Sequence, residues 1–136
     1  MQSSDTSSEH PRVLLVDDNE HMLVRSAAVL GSACDVVGAA RNGRAALEAV
    51  RLLHPDVVVL DISMPGMTGF EVAAQLRESG EPAAVVFLTV HDEEELVSAA
   101  KQSGGMGYVV KPRIGSDLLT AVKEAHAGRP FISPLG

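Results

Sequence analysis

The sequence predicts an α/β fold, a doubly wound parallel sheet with helices on both faces. Five short β-rich runs alternate with five stretches of helical period, which is typical of parallel strands joined by helices. The run at 56–60 is almost wholly apolar, as a central strand covered on both faces must be. The length of 136 residues suits one domain, and a hydrophobic content of 46% is enough to fill its core.

The predicted strands are short apolar runs rich in valine. They lie near 12–16, 35–39, 56–60, 84–89 and 107–110. The second run contains glycine and alanine, so we expect it at an edge of the sheet.

The first three helices follow the first three strands. Residues 19–30 carry apolar side chains at helical spacing, and Gly31 follows where a C-terminal cap belongs. Two further helices are expected near 43–53 and 68–78. The loop SMPGMTG before the third helix has one proline and two glycines and is the strongest turn signal in the chain. We expect it to form the rim of a cleft.

The last two helices are placed by residues typical of helix ends. We expect the fourth helix to begin at the N-cap Asp92, with Glu95 three residues later near the positive helix end. We expect the fifth to begin at Ser116 and to end at Gly128, which is followed by Pro130.

Composition argues against several classes of protein. The chain has 11 basic and 18 acidic residues, and its net charge of −7 disfavours direct binding of nucleic acid or an anionic membrane. No apolar run is long enough to span a membrane, and the polar start does not resemble a secretory signal. Cys34 is the only cysteine, so we expect a buried thiol without a disulfide. These features predict a soluble, cytoplasmic protein.

Residues that phosphoryl chemistry needs follow four of the strands. Asp17 and Asp18 follow the first strand, Asp61 follows the third, Thr89 closes the fourth and Lys111 follows the fifth. The carboxyl ends of parallel strands share one edge of a sheet, so we expect these side chains in one crevice.

The predicted crevice has the donors of a magnesium site. Three neighbouring carboxylates resist ionising together unless a cation neutralises them, and Mg²⁺ prefers carboxylate, water and phosphate oxygens. We therefore expect Asp18 and Asp61 to bind Mg²⁺ directly, with Asp17 acting through water. Asp61 is the predicted nucleophile, Lys111 offers a positive charge and the Thr89 hydroxyl offers a hydrogen bond. The simpler alternative is that the aspartate pair caps the next helix.

The motifs VLLVDD, DISMPGMTG, LT and GYVVKP resemble the receiver domain of a two-component response regulator, over residues 11–130. The resemblance implies a (βα)5 flavodoxin-like fold with strand order 2-1-3-4-5. It implies that Asp61 accepts a phosphoryl group from a sensor histidine kinase. It also implies Mg²⁺ bound by Asp18, Asp61 and the backbone carbonyl of Ser63, with Asp17 nearby.

Two further positions match the switch of that family. Thr89 is similar to the hydroxyl residue that moves toward the phosphoryl group, and Tyr108 to the aromatic that turns inward behind it. Pro112 is similar to a proline commonly preceded by a cis bond. Val90 is larger than the residue many receivers have there, which predicts a narrower entrance. The face formed by the fourth helix, fifth strand and fifth helix is expected to change its partner affinity.

The C-terminal stretch resembles receivers of the NarL/FixJ type, which precede a helix-turn-helix DNA-binding domain. We expect a disordered tail over residues 1–10, the receiver domain over 11–130, and a tail or truncated linker over 131–136. The chain is then either a stand-alone receiver or one cut at its linker. The leading hypothesis is that the chain is a phosphoacceptor switch rather than an enzyme. A second copy of the chain is one candidate partner, which would give a homodimer.

Three alternatives fit the sequence less well than this hypothesis. A hydrolase of the haloacid dehalogenase type needs a second aspartate two residues after the first, where this chain has Ser63. A nucleotide-binding flavodoxin-like module needs a glycine-rich first turn, where the chain has DDNEH. A receiver that no longer takes phosphate is disfavoured because every acidic, hydroxyl and lysine position is present. The histidines lack zinc-ligand spacing. His91, two residues after Thr89, is expected to be an exposed loop residue rather than a residue at the border of the cleft.

Overall fold

The computed structural model describes residues 10–135, so the predicted N-terminal tail lies almost wholly outside the described residues. Within this range the chain forms one six-stranded sheet, paired in parallel throughout, in the order β2-β1-β3-β4-β5-β6. The strands are β1 (Arg12–Val16), β2 (Asp35–Ala40), β3 (Val57–Leu60), β4 (Ala84–Thr89), β5 (Gly107–Val110) and β6 (Phe131–Ile132). The predicted doubly wound fold and the order 2-1-3-4-5 are confirmed.

The helices divide between the two faces of the sheet and bury one apolar cluster on each. They are α1 (Glu20–Leu30), α2 (Gly43–Leu53), α3 (Gly69–Glu78), α4 (Glu94–Gln102) and α5 (Ile114–His126). Side chains of α1 and α5 fill one cluster, and those of α2, α3 and α4 fill the other. All four residues of β3 are buried, which agrees with its predicted central position. Cys34 is buried as expected.

Local capping holds the helices that border the cleft. The Asn19 side chain accepts hydrogen bonds from the first turn of α1, and Gly31 ends that helix with a φ of 55°. Thr68 and Glu71 form a capping box at the start of α3. Asn19 therefore provides the cap at α1 that the simpler alternative assigned to the aspartate pair.

Two predicted helix starts are wrong. α4 begins at Glu94, and no side chain of the described residues caps it, so Asp92 is not its N-cap. α5 begins at Ile114 instead of Ser116, because a 3₁₀ turn at Lys111–Arg113 already winds the chain in the helical sense. The peptide bond before the proline of this turn is trans, whereas the resemblance implied a cis bond.

Strand β6 was not predicted. Phe131 and Ile132 pair in parallel with Gly107 and Tyr108 of β5, so part of the segment assigned to a tail or linker belongs to the sheet. A strand of two residues has no period-2 pattern for a sequence to display. Among residues 10–135 no helix has the length and apolar character needed to cross a bilayer.

Candidate functional site

The strand order places the carboxyl ends of β1, β3, β4 and β5 side by side at one edge of the sheet. Lys111 Nζ lies 3.0 Å from Asp17 Oδ2 and 3.3 Å from Asp61 Oδ2. Asp17 and Asp61 are buried, and Thr89 is fully buried at the end of β4. The structure thus brings residues from four separate strand ends into one cleft.

Three carboxylates crowd this cleft. Asp17, Asp18 and Asp61 each offer an oxygen, and these oxygens lie within 4.8 Å of one another. Asp17 Oδ1 accepts a hydrogen bond from the Asn19 amide at 2.8 Å. Asp17 Oδ2 is buried and has no well-aligned hydrogen-bond donor among the described residues, although Lys111 is close. This oxygen has one ammonium nearby and two further carboxylates beside it, an arrangement that fits a hard divalent cation such as Mg²⁺.

The protonation of the cleft follows from burial and charge. Burial raises the pKa of Asp61, and the negative charge of Asp17 raises it further, while Lys111 acts in the opposite direction. Burial by itself lowers the pKa of Lys111, but the contacts of its ammonium with the Asp17 and Asp61 carboxylates, and their negative charges, raise it above its ordinary value. Lys111 is therefore an ammonium at neutral pH, and it faces more negative charge than it neutralises.

The backbone around Asp61 is held by a close approach of α3. The Gly69 amide donates a hydrogen bond to the carbonyl of Ile62 at 2.8 Å. A Cβ at position 69 would overlap the Asp61 carbonyl oxygen, so only glycine fits there. The sequence marked this glycine as a turn residue, but its contact with the strand end is a tertiary feature that the sequence did not reveal.

The loop after β4 closes one side of the cleft through His91. Its Nε2 lies 3.0 Å from Ser63 Oγ, and its amide donates to Thr89 Oγ1 at 3.4 Å. His91 lies in a loop as expected, but it is half-buried instead of fully exposed because it contacts the loop after Asp61. Its position two residues after Thr89 was the available signal. The neighbouring Val90 is 64% exposed.

Tyr108 lies behind this loop with its ring buried. Its hydroxyl donates a hydrogen bond to the carbonyl of His91 at 2.8 Å. Burial raises its pKa to about 12, with further contributions from Glu93 and Asp92. The phenol is therefore a protonated donor at neutral pH, and it ties β5 to the loop that follows Thr89.

Comparison with known proteins relates this chain to response regulators. The model of the response regulator receiver domain matches residues 13–123. The chain is 37% identical over 135 residues to the "Probable transcriptional regulatory protein NarL" of Mycobacterium tuberculosis, covering 96% of this chain and 62% of that protein. It is 35% identical over 130 residues to the nitrate/nitrite response regulator protein NarL of Escherichia coli, covering 94% and 60%.

A solved structure extends the likeness to three dimensions. The signal receiver domain of a NarL response regulator from Mycobacterium tuberculosis superposes with a TM-score of 0.81 at 37% identity. The superposition covers 89% of this chain and 99% of that one. The present chain spans less than two thirds of the length of both NarL sequences.

Proposed function

This chain belongs to the response regulator receiver domain family, and from that premise we propose that Asp61 is its phosphoacceptor. The chain is thereby a signalling domain of a two-component system, and the comparisons do not support the hydrolase alternative. The observation that carries the proposal is the buried Asp61 carboxylate within reach of Lys111 and beside two further aspartates.

The proposed reaction transfers a phosphoryl group from a phosphohistidine of a sensor histidine kinase. A carboxylate oxygen of Asp61 attacks the phosphorus, a P–O bond forms and the P–N bond breaks. The departing imidazole nitrogen keeps the electron pair and takes up a proton. The product is a mixed anhydride, and the domain is a substrate of this transfer rather than an enzyme acting on other molecules. We place the exchange in the cytoplasm, where kinases have access to ATP.

The other residues of the cleft have distinct roles in this proposal. Lys111 offers its ammonium to the phosphoryl oxygens, and Thr89 offers its hydroxyl. Asp17, Asp18, Asp61 and the carbonyl of Ser63 are the groups that would hold Mg²⁺. When bound, this ion would neutralise charge on the phosphoryl oxygens.

Phosphorylation adds a charge of about −1.5 to −2 to the cleft, which attracts donors and biases the surrounding loops. The response we propose passes through Thr89 and Tyr108 to the face formed by α4, β5 and α5, where affinity for a partner or a second copy changes. The hydrogen bond that the Tyr108 hydroxyl donates to the His91 carbonyl, in the loop after Thr89, supports this route. The transcriptional names of the relatives support an output in gene control.

Intact mass spectrometry tests the proposal directly. After incubation with Mg²⁺ and acetyl phosphate, the wild-type chain should gain one phosphoryl group, and Asp61→Asn should gain none. Asp35→Asn is the matched control, because Asp35 is an exposed carboxylate on β2, away from the cleft. Labelling that persists in Asp61→Asn would contradict the assignment. Sustained phosphate release from an unrelated monoester would favour the hydrolase instead.

A further inference from the structure

A further buried carboxylate lies outside the phosphorylation cleft, on the first turn of α5. Asp117 has only 7% of its side chain exposed, and its Oδ2 accepts hydrogen bonds from Arg113 Nε and Ser133 Oγ, both at 2.7 Å. Ser116 Oγ lies 3.1 Å from Oδ1. The hydrogen bond from Arg113 lowers the pKa of Asp117 against the effect of burial, and Ser133 and Ser116 lower it further. Asp117 is therefore ionised at neutral pH and contacts three side chains, those of Arg113, Ser116 and Ser133.

Ser133 connects Asp117 to strand β5. It is 1% exposed and directly follows β6. Its amide donates to the Tyr108 carbonyl at 2.8 Å, and its hydroxyl accepts from the Val110 amide at 3.3 Å while donating to Asp117. One serine thus holds two backbone groups of β5, at the residue that carries the buried phenol and at the residue before Lys111.

The turn that carries Lys111 is held at both ends by these contacts. Ser133 binds the amide of Val110 at its start, and Asp117 binds the guanidinium of Arg113 at its end, with distances of 2.7 and 3.4 Å. The Lys111 ammonium that reaches into the cleft therefore projects from a turn fixed by Asp117 and Ser133. We call Arg113, Asp117 and Ser133 the latch.

We propose that Asp117 and Ser133 are positioning residues that couple the phosphorylation cleft to the docking of residues 131–133. This inference rests on the proposed function of Asp61. In the latched arrangement the Lys111 ammonium lies between Asp17 and Asp61, so a phosphoryl group on Asp61 gains a cation that is already in place. Because coupling between two sites is reciprocal, filling the cleft tightens the segment, and loosening the segment weakens binding in the cleft.

The test uses Mg²⁺ with beryllofluoride, which stands in for the phosphoryl group. Amide hydrogen exchange followed by NMR reports the Ser133 amide, and we expect the ligand to slow its exchange about fivefold in the wild-type chain. Tyr108 is the only tyrosine and the chain has no tryptophan, so intrinsic fluorescence reports this side chain during the same titration.

The variants separate coupling from a purely structural role. Ser133→Ala and Asp117→Asn should each weaken apparent beryllofluoride affinity about fivefold. Thr120→Ala is the control, because Thr120 is an exposed residue of α5 outside the latch, and the affinity of this variant should equal that of the wild type. Ser133→Ala removes one hydroxyl, so it keeps the test valid if Asp117→Asn fails to fold.

The outcomes distinguish this inference from the function it rests on. A lower melting temperature in Ser133→Ala with unchanged beryllofluoride affinity would overturn the latch as a coupling device. If the wild-type chain binds beryllofluoride at Asp61 and the exchange rate of the Ser133 amide does not change, the proposed coupling would also be overturned. The proposed function of Asp61 would then still stand. If the wild-type chain bound no beryllofluoride, both proposals would fail.

Discussion

At the scale of single residues, the surroundings of Asp61 disfavour the ionised form of its carboxyl group. Burial and the charge of Asp17 both disfavour its ionised form, and Lys111 only partly offsets them. A buried carboxylate next to like charge is destabilising to the fold unless a cation reaches it. The same property leaves the carboxylate ready to react and ready to bind Mg²⁺.

We expect Asp61→Asn to stabilise the fold at neutral pH in the absence of divalent ions, by on the order of 1 kcal/mol. The folded pKa of Asp61 is raised, so its ionisation penalises the folded state. That penalty is absent below the unfolded pKa of about 3.9 and grows as pH rises through the folded pKa. Urea unfolding at pH 4 and pH 7 should show a larger gain at pH 7. An equal gain in the free energy of unfolding at pH 4 and pH 7, or the same gain in Asp35→Asn, would contradict this prediction.

Gly69→Ala should destabilise the fold by about 1–3 kcal/mol and slow phosphorylation of Asp61. Its Cβ would overlap the Asp61 carbonyl oxygen and lie 2.9 Å from Ile62 Cα, and backbone atoms cannot move aside as a flexible side chain can. Gly115→Ala is the control, because that position in α5 has open space around it. Urea unfolding measures both. The prediction is wrong if the two variants lose the same stability.

At the scale of elements, α5 is connected to its neighbours through a charge as well as through apolar packing. Leu118, Ala121 and Val122 fill the core on one face of the sheet. Asp117, in the first turn of the helix, binds Arg113, which precedes the helix, and Ser133, which follows β6. This carboxylate orders the segments on either side of the helix.

Asp117→Asn should cost about 1 kcal/mol at pH 7, since the hydrogen bonds lose their charged acceptor. The folded pKa of Asp117 is lowered, so its contribution is present above the unfolded pKa and is lost as pH falls through the folded pKa. The stability difference between wild type and variant should therefore shrink as pH falls below about 4. Urea unfolding across this range measures it. A difference that stays constant with pH would contradict the assignment.

The elements show how far local pattern determines structure. The first strand spans 12–16 and the fourth 84–89 as expected, because apolar runs bounded by turns are local signals. The starts of α4 and α5 depend on how the preceding loop is wound, which local capping residues did not reveal. Asp117 and Ser133 lie 16 residues apart, and their contact arises only after β6 has docked.

The cleft likewise has features that the sequence predicts and features that it does not. Its acidic, hydroxyl and lysine residues were predictable because parallel strands bring their carboxyl ends to one edge. The contact between His91 and Ser63 was not, because it joins two loops with no shared periodicity. Tertiary contacts of loops depend on the assembled sheet, and a single sequence does not display them.

At the scale of the whole molecule, the net charge of −7 and the three clustered carboxylates predict stabilisation by Mg²⁺. Binding to the folded state alone adds about 2.7 kcal/mol at a free concentration of 100 times Kd. The melting temperature should rise with MgCl2 and should respond much less in Asp18→Asn. NaCl at matched ionic strength controls for general screening. An equal rise with NaCl, or in the variant, would show that Mg²⁺ does not act through this site.

Strand β6 also decides how the sheet ends. An open sheet exposes unpaired backbone groups at its outer strand, and these groups can recruit a strand from another molecule. Here β6 covers the apolar strand β5, has only two residues, and is bracketed by Pro130 and Pro134, which have no amide hydrogen to offer. The short strand therefore gives this side of the domain a blunt edge that resists aggregation through strand addition.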